Sequence, residues 1–135
     1  MRKLLPLLAA GIAIVAAPAQ ATPRDREAEL AQAIEGRVAG EPVDCIDLHR
    51  IHGSRIIPGT AIVYDAGGTI YVNRPRGGAE TMSQWDIQVN RLWGGSRLCS
   101  IDTVELIDQG SRMYSGTVFL GEFVPYRRVR TSDAR

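Results

Sequence analysis

Lysine is almost missing from this chain. Of 135 residues only Lys3 is one, so every basic side chain after it, two histidines aside, is arginine. That composition suits bidentate anion contacts, although a codon or genome-composition bias explains it as well. Cysteine is limited to Cys45 and Cys99, too few for a disulfide-dense scaffold or a four-cysteine zinc site. There is no Cys-x-x-Cys and no adjacent Cys–His pair, which argues against a redox or catalytic thiol. No charge excess exists either: 16 basic against 15 acidic residues give +1, a poor match to nucleic acid as main partner. A Gly-x-Ser-x-Gly elbow and a nucleotide-binding phosphate loop are both lacking. The length of 135 residues excludes two substantial domains.

What is present begins with an export signal. Arg2 and Lys3 precede an apolar run from Leu4 to Ala17, and Ala19-Gln20-Ala21 has the small-x-small form of a cleavage site. Residues 1–21 are therefore expected to leave as a signal peptide, with the mature chain starting at Thr22. A retained anchor is the rival. Leu4 to Ala19 is 16 residues, short of the roughly 20 needed to span a bilayer, so no stable membrane anchor is expected after cleavage. The destination is periplasmic or secreted, an oxidising space in which Cys45 and Cys99 should form a disulfide.

Residues 22–126 read as a single small β-rich domain. Thr22, Pro23 and Asp25 make a helix start. Ala28, Leu30, Ala31, Ile34 and Val38 follow on one narrow face up to Gly40, so residues 22–40 form a helix, or else a frayed arm. Strand signals then take over at Val43–Leu48. Ile56-Ile57 enters a Pro58-Gly59 turn. The clearest element is a hairpin, Ala61–Tyr64 and Thr69–Val72 around Asp65-Ala66-Gly67-Gly68. Trp85–Val89 alternates in period two, Trp93–Ser96 is a turn, Leu98–Ile107 is a strand irregular near Asp102, and Gly116–Val124 is a β segment with a bend, bulge or tight turn at Gly121. Residues 127–135 are expected to be a loose polar tail. The fold class is mainly β: a partly open barrel or β-roll of five or six strands with one N-terminal α-helix.

Five stretches together carry a family resemblance: Tyr71–Gly78, Cys45-Ile46-Asp47-Leu48, Ser54-Arg55-Ile56, Leu98–Asp102 and Gly121–Tyr126. The chain resembles, from Arg37 to Tyr126, a set of small exported proteins of alphaproteobacteria, sphingomonad-like organisms in particular. The resemblance implies export and brings no catalytic residue. It also implies basic residues where His49 and His52 stand.

Three constellations remain as candidate sites. Asp47, His49 and His52 are a weak metal set, because strand geometry turns His52 away from the other two. Arg74, Arg76, Gly77 and Gly78 form a basic Gly-rich loop able to hold phosphate, sulfate or carboxylate. Trp85, Arg91 and Trp93 offer a recognition surface, or alternatively core closure. No catalytic residues and no cofactor are indicated. The expected role is an exported structural or binding protein of the cell envelope, recognising a protein or peptide and not nucleic acid. A small envelope hydrolase or an anion-binding module is the alternative. A binding module should present an exposed aromatic or arginine patch, or an unpaired strand edge.

Overall fold

The structure is a computed structural model that describes residues 11–130. Residues 11–22 have no regular secondary structure. Arg2, Lys3 and the start of the apolar run lie outside the described residues, as does the end of the tail from residue 131.

Helix α1 spans Pro23–Ala33 and starts as the sequence dictates. Thr22 is the N-cap. Its Oγ1 accepts from the Asp25 N–H at 3.3 Å, and the Asp25 carboxylate accepts from the Thr22 N–H at 2.8 Å. This closes a capping box. The helix ends seven residues before Gly40. Gly36, at φ +71°, reverses the chain, and Arg37–Ala39 becomes strand β1 instead of a last helical turn. Val38 thus lies on a strand and not on the helix face.

Among the described residues ten strands form three antiparallel sheets, more than the five or six expected, because several are only three residues long. The remaining strands are β2 (Cys45–Asp47), β3 (Gly53–Ile57), β4 (Ala61–Asp65), β5 (Thr69–Asn73), β6 (Asp86–Arg91), β7 (Arg97–Cys99), β8 (Thr103–Asp108), β9 (Tyr114–Phe119) and β10 (Phe123–Arg128). The main sheet has the order β1-β10-β5-β4-β3; β6-β8-β9 is a second sheet, and β2-β7 a two-stranded ribbon. None of the sheets closes on itself, so the architecture is mainly β, an open barrel or roll with one N-terminal helix, as expected.

Two expected strands are each divided in two. Leu98–Ile107 breaks at residues 100–102, sending β7 to the ribbon and β8 to the second sheet. The Asp102 side chain drives the break: its Oδ2 accepts from Cys99 N at 2.7 Å and Oδ1 from Trp93 N at 3.1 Å. Gly116–Val124 likewise splits into β9 and β10 around Gly121. The expected loose tail is also revised at its start. Arg127 and Arg128 belong to β10, opposite Thr69 and Arg37.

The main sheet is the middle layer, which explains why Ala61-Ile62-Val63-Tyr64 is buried without interruption. One face (Ile57, Ala61, Val63, Ile70, Val72) packs under Leu30 of α1. The other face (Ile56, Ile62, Tyr64, Phe123) meets Ile46, Leu98, Val104, Leu106, Val118 and Leu120. Period-two alternation sends successive residues to the two cores. Leu30 is the only fully buried residue of α1, so the helix is a thin lid.

Buried Asn73 ties the end of β5 to the β9–β10 link. Its Nδ2 donates to Gly121 O at 2.7 Å and its Oδ1 accepts from Gly121 N at 3.0 Å. A side chain on Gly121 would meet Arg74 O at 2.5 Å, so glycine is required there. Asn73→Ala strands two buried backbone groups and should lose about 2–3 kcal/mol in a denaturant melt. Wild-type stability in that variant would show that the pair contributes nothing.

Candidate functional site

Among the described residues strand β6 is a free edge of the second sheet, and its side chains are arranged against the usual rule. Gln88 and Asn90 sit opposite fully buried Leu106 and Val104, on the inner face. Gln88 Nε2 reaches Ser54 Oγ of β3 at 3.0 Å. The other amide oxygens, Gln88 Oε1 and Asn90 Oδ1, are buried without a protein partner. The apolar members of the alternation, Trp85, Ile87 and Val89, therefore turn outward. Trp85 is 64% exposed and Ile87 38% exposed. A one-sided antiparallel sheet ordinarily turns its polar residues outward and its apolar ones inward.

The outward apolar face continues across the sheet. Ile87 is opposite Ile107, which is opposite exposed Tyr114, with exposed Met113 beside it. Phe119 is half exposed at the far end of β9. Arg91 crosses this face to Glu105 at 2.8 Å. That hydrogen bond holds the Glu105 carboxyl below, and the Arg91 guanidinium above, their ordinary ranges. Trp93, 83% exposed, stands just beyond the end of β6. Trp85 and Trp93 thus bracket the edge from its two ends, with Arg91 between them.

The backbone of this edge is also open. Trp85 O accepts from Gln109 N, which sets the ladder phase. Odd-numbered residues then aim their backbone groups at β8, and Gln88 and Asn90 aim theirs away from the sheet. Trp85, Arg91 and Trp93 were visible as candidates in the sequence. Ile87, Val89, Tyr114 and Met113 were not, because period two shows that one face is apolar without showing which way it points.

The Arg-rich loop is occupied by its own chain. Arg74 makes two bonds to the Glu27 carboxylate of α1, at 2.8 and 2.9 Å. Arg76 Nε donates to Leu120 O at 2.6 Å and its Nη2 to Ser100 O at 3.0 Å. Gly77 bridges to Phe119, and Gly78, at φ +80°, runs so close to β9 that a Cβ would lie 2.1 Å from Thr117 O. These four residues fasten the loop to α1 and to β9 and its exit.

The arginine contact also fixes a pH response for α1. The Arg74 hydrogen bond holds Glu27 below the usual carboxylate range, and bonds from the Thr22 hydroxyl and N–H do the same for Asp25. Stability from these depressed groups is present above their unfolded pKa of about 4 and is lost as pH falls through the lower folded values. Amide exchange in residues 23–33 should therefore accelerate on acidification before that of β4. Equal acceleration in both segments would refute local anchoring.

Asp47 Oδ1 accepts from His49 N at 3.0 Å, and both histidines are exposed. Among the described residues no group of three His, Cys, Asp or Glu is placed to hold a metal ion. Cys45 and Cys99 are directly opposed on β2 and β7 and form a disulfide with S–S 2.05 Å. The bond closes the two-stranded ribbon on itself, and neither of its strands belongs to the main sheet. Among the described residues no helix is long and apolar enough to cross a membrane. No protein-family model, curated protein or solved structure matches this chain.

Proposed function

We propose that this is an exported binding protein of the cell envelope that takes an extended peptide segment onto the free edge of β6. The observation that carries the reading is the reversed alternation of β6, which turns Trp85, Ile87 and Val89 outward at an unpaired edge. An incoming strand would pair with the outward backbone groups of Gln88 and Asn90, and alternate side chains would rest on the apolar face. Trp85 and Trp93 supply large, rigid contacts at the two ends, as binding hot spots commonly do. Natural edges are more often blunted by charge, proline or a covering segment. Here the single charge on the outer face of the strand, Arg91, is neutralised by Glu105. Export is supported by Arg2-Lys3, the apolar run and Ala19-Gln20-Ala21, and by a disulfide of the kind that persists in oxidising compartments.

The test is panning of the protein, started at Thr22, against a displayed library of random linear peptides. Enriched peptides should slow hydrogen exchange at the Gln88 and Asn90 amides. Trp85→Ala and Trp93→Ala should each weaken capture about tenfold, in line with hot-spot losses above 1 kcal/mol. A library that yields no binder, or binders that leave those two amides unprotected, refutes the reading.

A further inference from the structure

A second recess lies at the turn end of the β4–β5 hairpin. A cleft of about 580 Å³ there is lined by His49, Arg50, His52, Thr69, Tyr71 and Arg127. Three parts of the chain build it. The 3-10 turn Leu48–Arg50 brings His49 and Arg50. His52 is placed by its N–H, which donates to Asp65 O at 2.7 Å. Thr69 and Arg127 are cross-strand partners on β5 and β10, and Tyr71 shares the Thr69 face two residues on.

The lining residues include two arginines, two histidines, a threonine and a tyrosine, and no acidic residue. The neighbouring acids are turned to other work: Asp47 accepts from His49 N at 3.0 Å and Asp65 from Gly67 N at 2.8 Å. Arg74 and Arg91 are neutralised in ion pairs, and Arg26, Arg37 and Arg76 donate to backbone carbonyls. Arg50 and Arg127 belong to neither ion pair seen among the described residues. Gathering two such cations in one recess costs self-repulsion, which a bound anion relieves.

We propose that this cleft is a binding site for a phosphate-bearing small molecule, its oxyanion held by Arg50 and Arg127 with the histidines and the Thr69 and Tyr71 hydroxyls around it. Guanidinium forks suit phosphate oxygens bidentately. The volume falls within the range of small-molecule sites and exceeds what one inorganic phosphate fills. The Arg-rich loop that the sequence offered for this role is spent on Glu27 and on backbone carbonyls, whereas these two arginines are not.

The experiment is a titration with inorganic pyrophosphate at low salt, followed by amide NMR. Saturable shifts are expected at Arg50, His52, Thr69 and Arg127, with Kd below about 1 mM. Arg50→Gln and Arg127→Gln should each weaken binding about tenfold, and the double variant should remove it. Arg130→Gln, exposed and outside the cleft, should change nothing. A parallel arm uses vesicles containing phosphatidylglycerol. The same variant-dependent response there, without one to pyrophosphate, identifies a lipid headgroup as the phosphate source. No variant-dependent response in either arm, or shifts that Arg130→Gln reduces as much as Arg50→Gln, overturns the proposal. All three arginines are exposed, so unchanged core amide shifts will show that each variant is folded.

Discussion

Cys45→Ala and Cys99→Ala should each lower unfolding free energy by about 4 kcal/mol, and the double variant should lose little more. The magnitude follows from the sequence separation of 54 residues across the bond, which the chain-entropy relation converts to about 4 kcal/mol. A loss of that size is comparable with the whole stability of a small domain. The placement explains why the bond matters. The ribbon β2-β7 has two strands only, and an isolated two-stranded pair is marginal in water. Yet Ile46 and Leu98, which follow Cys45 and precede Cys99, are fully part of the core beneath the main sheet. Loss of the ribbon would uncover that core. Ser100 and Asp44, hydrogen-bonded to each other beside the bond, hold its outer end. Denaturant melts of the three variants decide the matter. Strictly additive losses would show that the two cysteines act separately, and two reactive thiols in unfolded, unreduced protein would show no bond at all.

Phe123→Ala should cost about 3–5 kcal/mol, the range for emptying a closed aromatic site. Phe123 has no exposed surface and stands edge-on to Tyr64, with ring centroids 5.7 Å apart. It is also a backbone junction, exchanging both hydrogen bonds with Val43 at 2.8 and 2.9 Å. The alanine variant keeps that backbone pairing and loses the ring, so the change isolates packing. Phe123→Leu fills most of the volume and should recover more than half of the loss. A thermal melt of the two variants measures both numbers; equal melting temperatures for Phe123→Ala and wild type would mean that the core collapses around the gap without cost.

The local chemistry of this fold was readable residue by residue. Thr22, Pro23 and Asp25 announce a cap because side-chain and backbone groups three residues apart satisfy one another. Asp65–Gly68 announces a hairpin because a glycine there accepts positive φ, as Gly67 does at +78°. The cysteine pair was legible by counting. Long-range decisions were not. Nothing in Leu98–Ile107 says that its two halves join different sheets, since Asp102 acts through bonds to Trp93 and Cys99 that exist only once the turn has formed. Arg74 and Arg76 looked free because their partners, Glu27, Ser100 and Leu120, lie 24 or more residues away. His49 and His52 suggested metal, while Arg50 and Arg127, on segments far apart in sequence, gave no sign that they share a cleft with them. Strand β6 is the sharpest instance: its alternation was plain, and its direction depended on which neighbour it met.

Strand β10 is the last strand among the described residues yet sits inside the main sheet, between β1 and β5. That order has a kinetic consequence. A growing chain can form the β3-β4-β5 meander and the β6-β8-β9 sheet early, from neighbours in sequence. Strand β1 and Val43 have no partner until residues 123–128 arrive. Up to that moment β5 is an open edge, and the site of Phe123 is an uncovered apolar hollow. Joining β1 and β5 to residues 123–128 is therefore a non-local closure, the kind of contact that slows folding in β topologies. A ribosome-stalled or truncated chain ending before Phe123 would display both the edge and the hollow, which makes premature termination a route to aggregation for this protein.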